Sequence, residues 1–110
     1  MANFKQRVIK FIQSVPKGKV VSYGQAAAKA ASPRAARQVG GILRSIDASA
    51  GLVPWWRVIN NQGVISIKGN WTASKNIQKQ LLEKEGIKVG ADYKLDINKH
   101  RWLASWSASN

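Results

Sequence analysis

Two helix-start signals, ten residues apart, constrain the fold of this chain most strongly. Ser22 and Gln25 have the spacing of a capping box, and Ser32-Pro33 places a capping residue before a proline, which is favoured at the first helical position. We therefore predict one helix from Ser22 to about residue 31 and a second that begins near Ser32. Two helices joined by a few residues, the second of them basic, predict a helix-turn-helix arrangement.

The spacing of apolar residues predicts two further helices. Residues 4–15 carry apolar side chains at helical intervals and are followed by Pro16, which ends a helix. Residues 74–85 repeat this pattern, and Gly86 is expected to end that helix. Beyond it, four side chains are expected to anchor the C-terminal segment: Tyr93, Leu95, Ile97 and Trp102.

Strands are expected in the middle of the chain. Residues 57–60 and 64–67 are β-prone, and Asn61-Gln62-Gly63 between them has the composition of a turn. The predicted fold is therefore mainly α with a small β hairpin, a winged helix-turn-helix-like domain. Because no linker or repeat divides the chain, we expect one domain over residues 1–104 and a frayed tail over 105–110.

The balance of charges indicates the class of partner. Lys and Arg number 18 against 5 Asp and Glu, so the formal net charge is +13. A polyanion, bound through salt-sensitive contacts, is the expected partner. An anionic membrane is the alternative, but the chain has neither a long amphipathic basic helix with an aromatic face nor an apolar stretch that could span a bilayer. Nucleic acid is favoured, and no membrane partner is expected.

Cysteine is absent from the chain. Its absence excludes disulfides, thiolate metal sites and a cysteine nucleophile. The single histidine, His100, has no cluster of acids or metal ligands near it in the sequence and is expected at the surface rather than as a base. We therefore expect no catalytic residue, metal or cofactor. The lack of disulfides fits a cytoplasmic, DNA-associated protein.

The second predicted helix interleaves arginine with very small side chains. Over residues 33–41 the backbone could approach DNA closely while N-terminal amides meet phosphates. Arg37, which lies beyond two alanines, could enter a groove or the base stack. The alternative is a solvated helix face in which alanine serves helix propensity. The net charge favours DNA binding.

Aromatic residues stand out at two places. Tyr23, in the first turn after Ser22, could press on a phosphate or cap the core. Trp55 and Trp56 are adjacent, and successive side chains of a strand point to opposite faces. At least one of the two rings is therefore expected near the surface, where it could stack on a base. The alternative is that each ring packs into a different layer.

Five short segments carry a family resemblance. They are Pro16-Lys17-Gly18-Lys19-Val20, Ser22-Tyr23-Gly24, Ala35-Ala36-Arg37-Gln38-Val39-Gly40, the Pro-x-x-Arg-Val frame at 54–58, and the segment from Leu82 to Gly86. In this order and spacing they resemble the DNA-binding domain of the O6-alkylguanine-DNA alkyltransferases, and most of all its alkyltransferase-like branch. The likeness covers the chain from the first predicted helix to about Gly86 and is weaker beyond it.

This resemblance implies how DNA would be bound. The helix that begins near Ser32 would enter the minor groove, Arg37 would replace an extruded nucleotide in the stack, and Tyr23 would push on the phosphate. The loop around residues 68–71 would form a wall of the base pocket. The expected DNA contacts are Tyr23, Ser32, Arg34, Ala35, Ala36, Arg37, Gln38 and Gly41. The expected lesion pocket is lined by Tyr23, Pro54, Trp55, Trp56, Arg57, Val58 and Lys68.

The chain departs from the family where catalytic members carry their chemistry. Those members have Pro-Cys-His-Arg-Val, in which Cys accepts the alkyl group and His helps to form the thiolate. Trp55 and Trp56 occupy these two positions here, and an indole offers an N–H donor but no nucleophile. Lys68 stands where many relatives carry Arg, so discrimination between alkyl groups is expected to differ.

The leading hypothesis is a monomeric, non-enzymatic sensor that flips O6-alkylguanine out of double-stranded DNA. By the same resemblance, it would signal to the damage-recognition machinery of nucleotide excision repair. The alternative is a lesion-indifferent architectural or regulatory module, which the +13 charge and the helix-turn-helix also support. A sequence-specific regulator would usually need a dimer to span two half-sites, and no dimerisation element is evident. An alkyltransferase activity is not expected, because the chain has no cysteine that could accept the alkyl group.

Overall fold

A computed structural model describes residues 3–30, 34–45, 53–65 and 75–103. These residues are mainly helical, as predicted, and contain one two-stranded sheet. In chain order the elements are α1 (Phe4–Ser14), β1 (Val21–Ser22), α2 (Tyr23–Lys29), α3 (Ala36–Ser45), a 3₁₀ turn (Trp55–Arg57), β2 (Val58–Ile59), α4 (Lys75–Lys84) and α5 (Ile97–His100). Within the described ranges, no helix has the length and apolar character that crossing a bilayer requires.

Helices α1 and α2 each begin with a capping box. Asn3 and Gln6 exchange side-chain and backbone hydrogen bonds at the start of α1, and Ser22 and Gln25 do the same for α2, as predicted. These bonds satisfy amide groups that a helix start otherwise leaves unpaired. Both predicted helices are confirmed, and α2 packs between α1 and α3 through small buried alanines.

The predicted start of α3 needs a correction. Arg34 lies in a turn, and the first helical bonds run from the amides of Gln38 and Val39 to the carbonyl of Ala35. The helix therefore begins at Ala36 instead of near Ser32, which itself lies outside the described residues. A capping residue and a proline favour a helix start, but the first carbonyl that accepts bonds from the helix fixes its position.

The β structure also differs from the predicted hairpin. Strand β2 pairs in parallel with β1, so that Val58 is opposite Val21. The predicted turn at 61–63 is present, but Val64 forms an antiparallel bridge with Lys94 from the C-terminal part of the chain. One bond of the hairpin type remains, from the amide of Asn60 to the carbonyl of Val64 at 3.4 Å. β2 and Val64 therefore both have long-range partners, and residues 66–67 of the predicted hairpin lie outside the described residues.

Helix α4 ends as predicted. Gly86 adopts a φ of 89°, and the amide of Ile87 donates to the carbonyl of Leu82, which closes the helix in the manner of a Schellman motif. The buried face of α4 includes Gln78, whose side chain donates to the carbonyl oxygens of Trp56 and Val58. This polar contact ties α4 to the 3₁₀ turn and β2.

The C-terminal segment packs on the core through its four predicted anchors. Leu95 and Ile97 are buried, and the ring of Trp102 stacks on Phe11 with centroids 5.8 Å apart. Residue 101 bridges Val20 in parallel, which places this segment along the free edge of β1. The segment is thereby held against both α1 and the start of α2.

Candidate nucleic-acid interface

The start of α3 presents an exposed basic face. Arg34, Arg37 and Gln38 are exposed, whereas Ala35 and Ala36 are half-buried. Gly41 lies about one turn after Arg37 and therefore on the same face. The opposite face is anchored by Val39 and Leu43, which are both buried in the core. The turn before α3 and the first turn of α3 thus each carry one exposed arginine that the sequence predicted to contact DNA.

Tyr23 lies where the starts of α2 and α3 meet. It is the first residue of α2 and half-buried, and it lines an open surface groove of about 620 Å³ together with Ala36. The other lining residues are Ser22, Gly24, Gln25, Ala28, Asn60, Asn61 and Arg101. The groove therefore joins two predicted DNA contacts to residues for which the sequence predicted no contact with DNA.

The two tryptophans lie in a 3₁₀ turn and not in a strand. Trp55 is 2% exposed and belongs to the core, whereas Trp56 is half-buried. Their rings are nearly perpendicular, at 87°, with centroids 6.1 Å apart. Trp55 therefore belongs to the core, and Trp56, which packs against the same core, is the ring nearer the surface. Stacking of either ring on a base stays a prediction.

Glu85 connects the 3₁₀ turn to the end of α4. Its carboxylate accepts hydrogen bonds from Trp56 Nε1 at 2.7 Å, from the guanidinium of Arg57 at 2.7–3.1 Å and from the amide of Gly18 at 3.0 Å. Arg57 also donates to the carbonyl of Val15. Sequence reasoning missed Glu85 because its partners are distant in the chain.

These contacts keep Glu85 ionised. Burial by itself raises the pKa of the carboxyl group, but the hydrogen bonds from Arg57, Gly18 and Trp56, together with the charge of Arg57, lower the pKa below its ordinary value. The side chains of Arg57 and Glu85 are only 15% and 7% exposed. The turn that carries Trp55 is thus fixed by an ion pair sheltered from water.

The structure separates the predicted site residues into two groups. Tyr23 and Ala36 share the groove, while Trp55, Trp56 and Arg57 lie in the turn before β2. Val58 is buried beside Val21, and Pro54 is half-buried at the start of the turn. Lys68, like Ser32, lies outside the described residues. His100 is half-buried in α5.

Comparisons with known proteins identify relatives. The family model described as 6-O-methylguanine DNA methyltransferase, DNA binding domain, matches residues 3–87. The DNA base-flipping protein of Escherichia coli (strain K12) is 41% identical over 100 residues, which cover 91% of this chain and 74% of that protein. Alkyltransferase-like protein 1 of Schizosaccharomyces pombe is 36% identical over 106 residues, which cover 93% of this chain and 96% of that protein.

A solved structure is also similar over nearly its whole length. The crystal structure of S. pombe Atl1 in complex with damaged DNA containing O6-carboxymethylguanine matches with a TM-score of 0.82 and 35% identity, covering 93% of this chain and 98% of that chain. The family resemblance and the fold class predicted from the sequence are thereby confirmed.

Proposed function

Because this chain belongs to the family of the 6-O-methylguanine DNA methyltransferase DNA-binding domain, we propose that it is a non-enzymatic sensor of O6-alkylguanine in duplex DNA. It binds through the minor groove, swings the damaged base out of the helix and holds it in a pocket lined by tryptophan. Two relatives support this proposal: the DNA base-flipping protein of Escherichia coli, and S. pombe Atl1, whose crystal structure is a complex with damaged DNA.

The observation that carries the proposal is Trp55 within an otherwise matching frame. By the family resemblance this is the position of the acceptor cysteine, and the whole sequence contains no cysteine. The indole has no lone pair that can accept an alkyl group. Binding without alkyl transfer is therefore the function that these residues support best.

The exposed start of α3 supplies the proposed grip on DNA. Arg34 is exposed in the turn before α3, and Arg37 is exposed on α3, whose other face is anchored in the core. The small Ala35 and Ala36 leave room for the DNA backbone. In the proposal Arg37 fills the space that the extruded nucleotide leaves. Extrusion costs a few kcal/mol, and base–aromatic contact returns about 1–3 kcal/mol.

The proposed pocket involves both groups of site residues. Tyr23 stands at the groove, and Trp55 lies in the turn that Glu85 holds. Because Trp55 is 2% exposed, a base can stack on this ring only after neighbouring atoms move aside. Binding is thus proposed to open the pocket, and the opened complex, with its bent DNA, would signal nucleotide excision repair.

A competition titration tests the proposal. Duplexes with O6-methylguanine or guanine at one position would compete for the protein at several salt concentrations, and the alkyl content of the DNA would be measured afterwards. We expect tighter binding of the damaged duplex, an affinity ratio that changes little with salt, and no loss of the alkyl group. Both duplexes make the same phosphate contacts, so salt weakens both alike.

Equal affinities at matched salt would contradict lesion sensing. That result would favour the lesion-indifferent duplex-binding module, for which the net charge of +13 already supplies a physical basis.

A further inference from the structure

Arg101 is half-buried and lines the groove beside Tyr23. Its Nη1 donates to Gln25 Oε1 and its Nη2 to Asn61 Oδ1, each at 3.0 Å. Both acceptors are neutral amides, and a guanidinium has five N–H groups. Two bonds hold the side chain in place while other N–H groups remain to bind a further acceptor.

The surroundings of Arg101 differ from those of Arg57. The carboxylate of Glu85 neutralises Arg57 at 2.7 Å, whereas no carboxylate in the described part of the chain pairs with Arg101. A guanidinium whose charge is not balanced, in a groove open to solvent, favours an anionic ligand and can bind phosphate through two parallel bonds.

The position of Arg101 is built into the fold. Residue 101 bridges Val20, the amide of Trp102 donates to the carbonyl of Val20, and Gln25 Nε2 donates to the carbonyl of Trp102. Gln25 therefore caps α2, fixes the C-terminal segment and positions Arg101 at once. Arg101 lies beyond residues 3–87, which match the family model.

The geometry points to Arg101 as a phosphate-binding residue, which contacts the DNA backbone next to the nucleotide that is swung out. The occupant is duplex DNA because the same groove contains Tyr23 and Ala36, at the start of the basic helix α3. This inference rests on the proposed DNA binding, but not on lesion preference, since a phosphate contact is common to damaged and undamaged duplex.

The test compares Arg101→Gln with Lys88→Gln, which removes the same charge from an exposed residue outside the groove. Affinity for both duplexes would be measured against salt concentration. For Arg101→Gln we expect an affinity loss of about 10-fold on either duplex and a salt slope smaller by about 0.9, the value of one lost phosphate contact. For Lys88→Gln we expect a much smaller loss.

A second variant controls for folding. Asn61→Asp keeps the size of an exposed side chain and places a carboxylate against Arg101, so it should weaken DNA binding while the thermal unfolding midpoint is maintained. If Arg101→Gln and Asn61→Asp both bind like Lys88→Gln, the inference is wrong. If the unsubstituted protein binds both duplexes equally, lesion sensing fails, yet the effect of Arg101→Gln on undamaged duplex still decides this inference.

Discussion

Trp55 and Trp56 are neighbours in the chain but have different surroundings. Trp55 is enclosed by the core, while the N–H of Trp56 donates to Glu85. Position 56 thus contains a hydrogen-bond donor to a carboxylate but no group that can take up a proton. We therefore predict that restoring a cysteine alone does not restore alkyl transfer.

The first prediction concerns Trp55→Cys. We expect no rapid methyl transfer from O6-methylguanine DNA, because Trp56 supplies no base for the thiol. The matched variant Trp55→Cys/Trp56→His should transfer faster, since an imidazole at position 56 lies beside the carboxylate of Glu85. Methyl uptake would be measured by mass spectrometry on protein whose folding is verified by circular dichroism. Rapid uptake by the single variant would show that this account of Trp56 is wrong.

The second prediction concerns Arg37→Ala. Loss of the inserted side chain should weaken binding to damaged duplex by about 10-fold, because the vacated stack is no longer filled. Extrusion would be followed by fluorescence of 2-aminopurine opposite the lesion, with Arg7→Ala, an exposed arginine of α1, as the control. Unchanged fluorescence in Arg37→Ala would rule out the inserting role.

The 3₁₀ turn and α4 depend on one carboxylate. Replacing Glu85 by Gln should destabilise the protein by about 3 kcal/mol at neutral pH, because Arg57 loses its buried partner. The lowered pKa of Glu85 means that its ionised form stabilises the fold above the ordinary carboxyl pKa, and this contribution is lost as pH falls through the folded-state pKa. Urea unfolding at neutral and acidic pH measures both effects.

Glu83→Gln is the control for this third prediction, because Glu83 is exposed in the last turn of α4, two residues before Glu85. An equal loss of stability in both variants, or a loss in Glu85→Gln that does not shrink in acid, would contradict the assigned role of Glu85.

Helix α3 allows stability and DNA binding to be separated. A Cβ at Gly41 would meet only Arg44 Nη2 at 3.9 Å, and a Cβ at Gly40 would meet nothing within 4 Å. Each Gly→Ala change should therefore stabilise the protein by about 0.5–1 kcal/mol. Gly41→Ala should nevertheless weaken DNA binding, since Gly41 shares the face of Arg37, and Gly40→Ala should weaken it less. If Gly41→Ala binds DNA as well as the unsubstituted protein does, Gly41 is not part of the interface.

Local signals in the sequence predicted some elements well and others poorly. The capping box of Ser22 and the end of α4 at Gly86 depend on neighbouring residues, and both were predicted correctly. The pairing of β2 with β1 and the bonds of Glu85 join distant segments through two-residue strands and single side chains. No local pattern encodes such contacts, so the sequence predicted neither the parallel pairing of β2 with β1 nor the role of Glu85.

The site as a whole was predicted only in its local parts. The sequence predicted a basic segment that could contact DNA, and Arg34 and Arg37 are both exposed there, while their roles stay predictions. The groove beside Tyr23 could not be predicted, because Asn61 and Arg101 reach it from segments far along the chain. The family resemblance assigned Trp55 to the acceptor position, which stays a prediction, and could not indicate that its ring is buried.

At the level of the entire protein, charge and shape have separate consequences. The net charge of +13 attracts any duplex, whereas in our proposal selectivity requires that one base leaves the stack and reaches Trp55. The most direct measurement is therefore a crystal structure of the protein bound to a duplex containing O6-methylguanine. Our account predicts the modified purine outside the helix and against the ring of Trp55, with its methyl group intact and Arg37 in the vacated stack. A modified purine still stacked between its neighbours would contradict it.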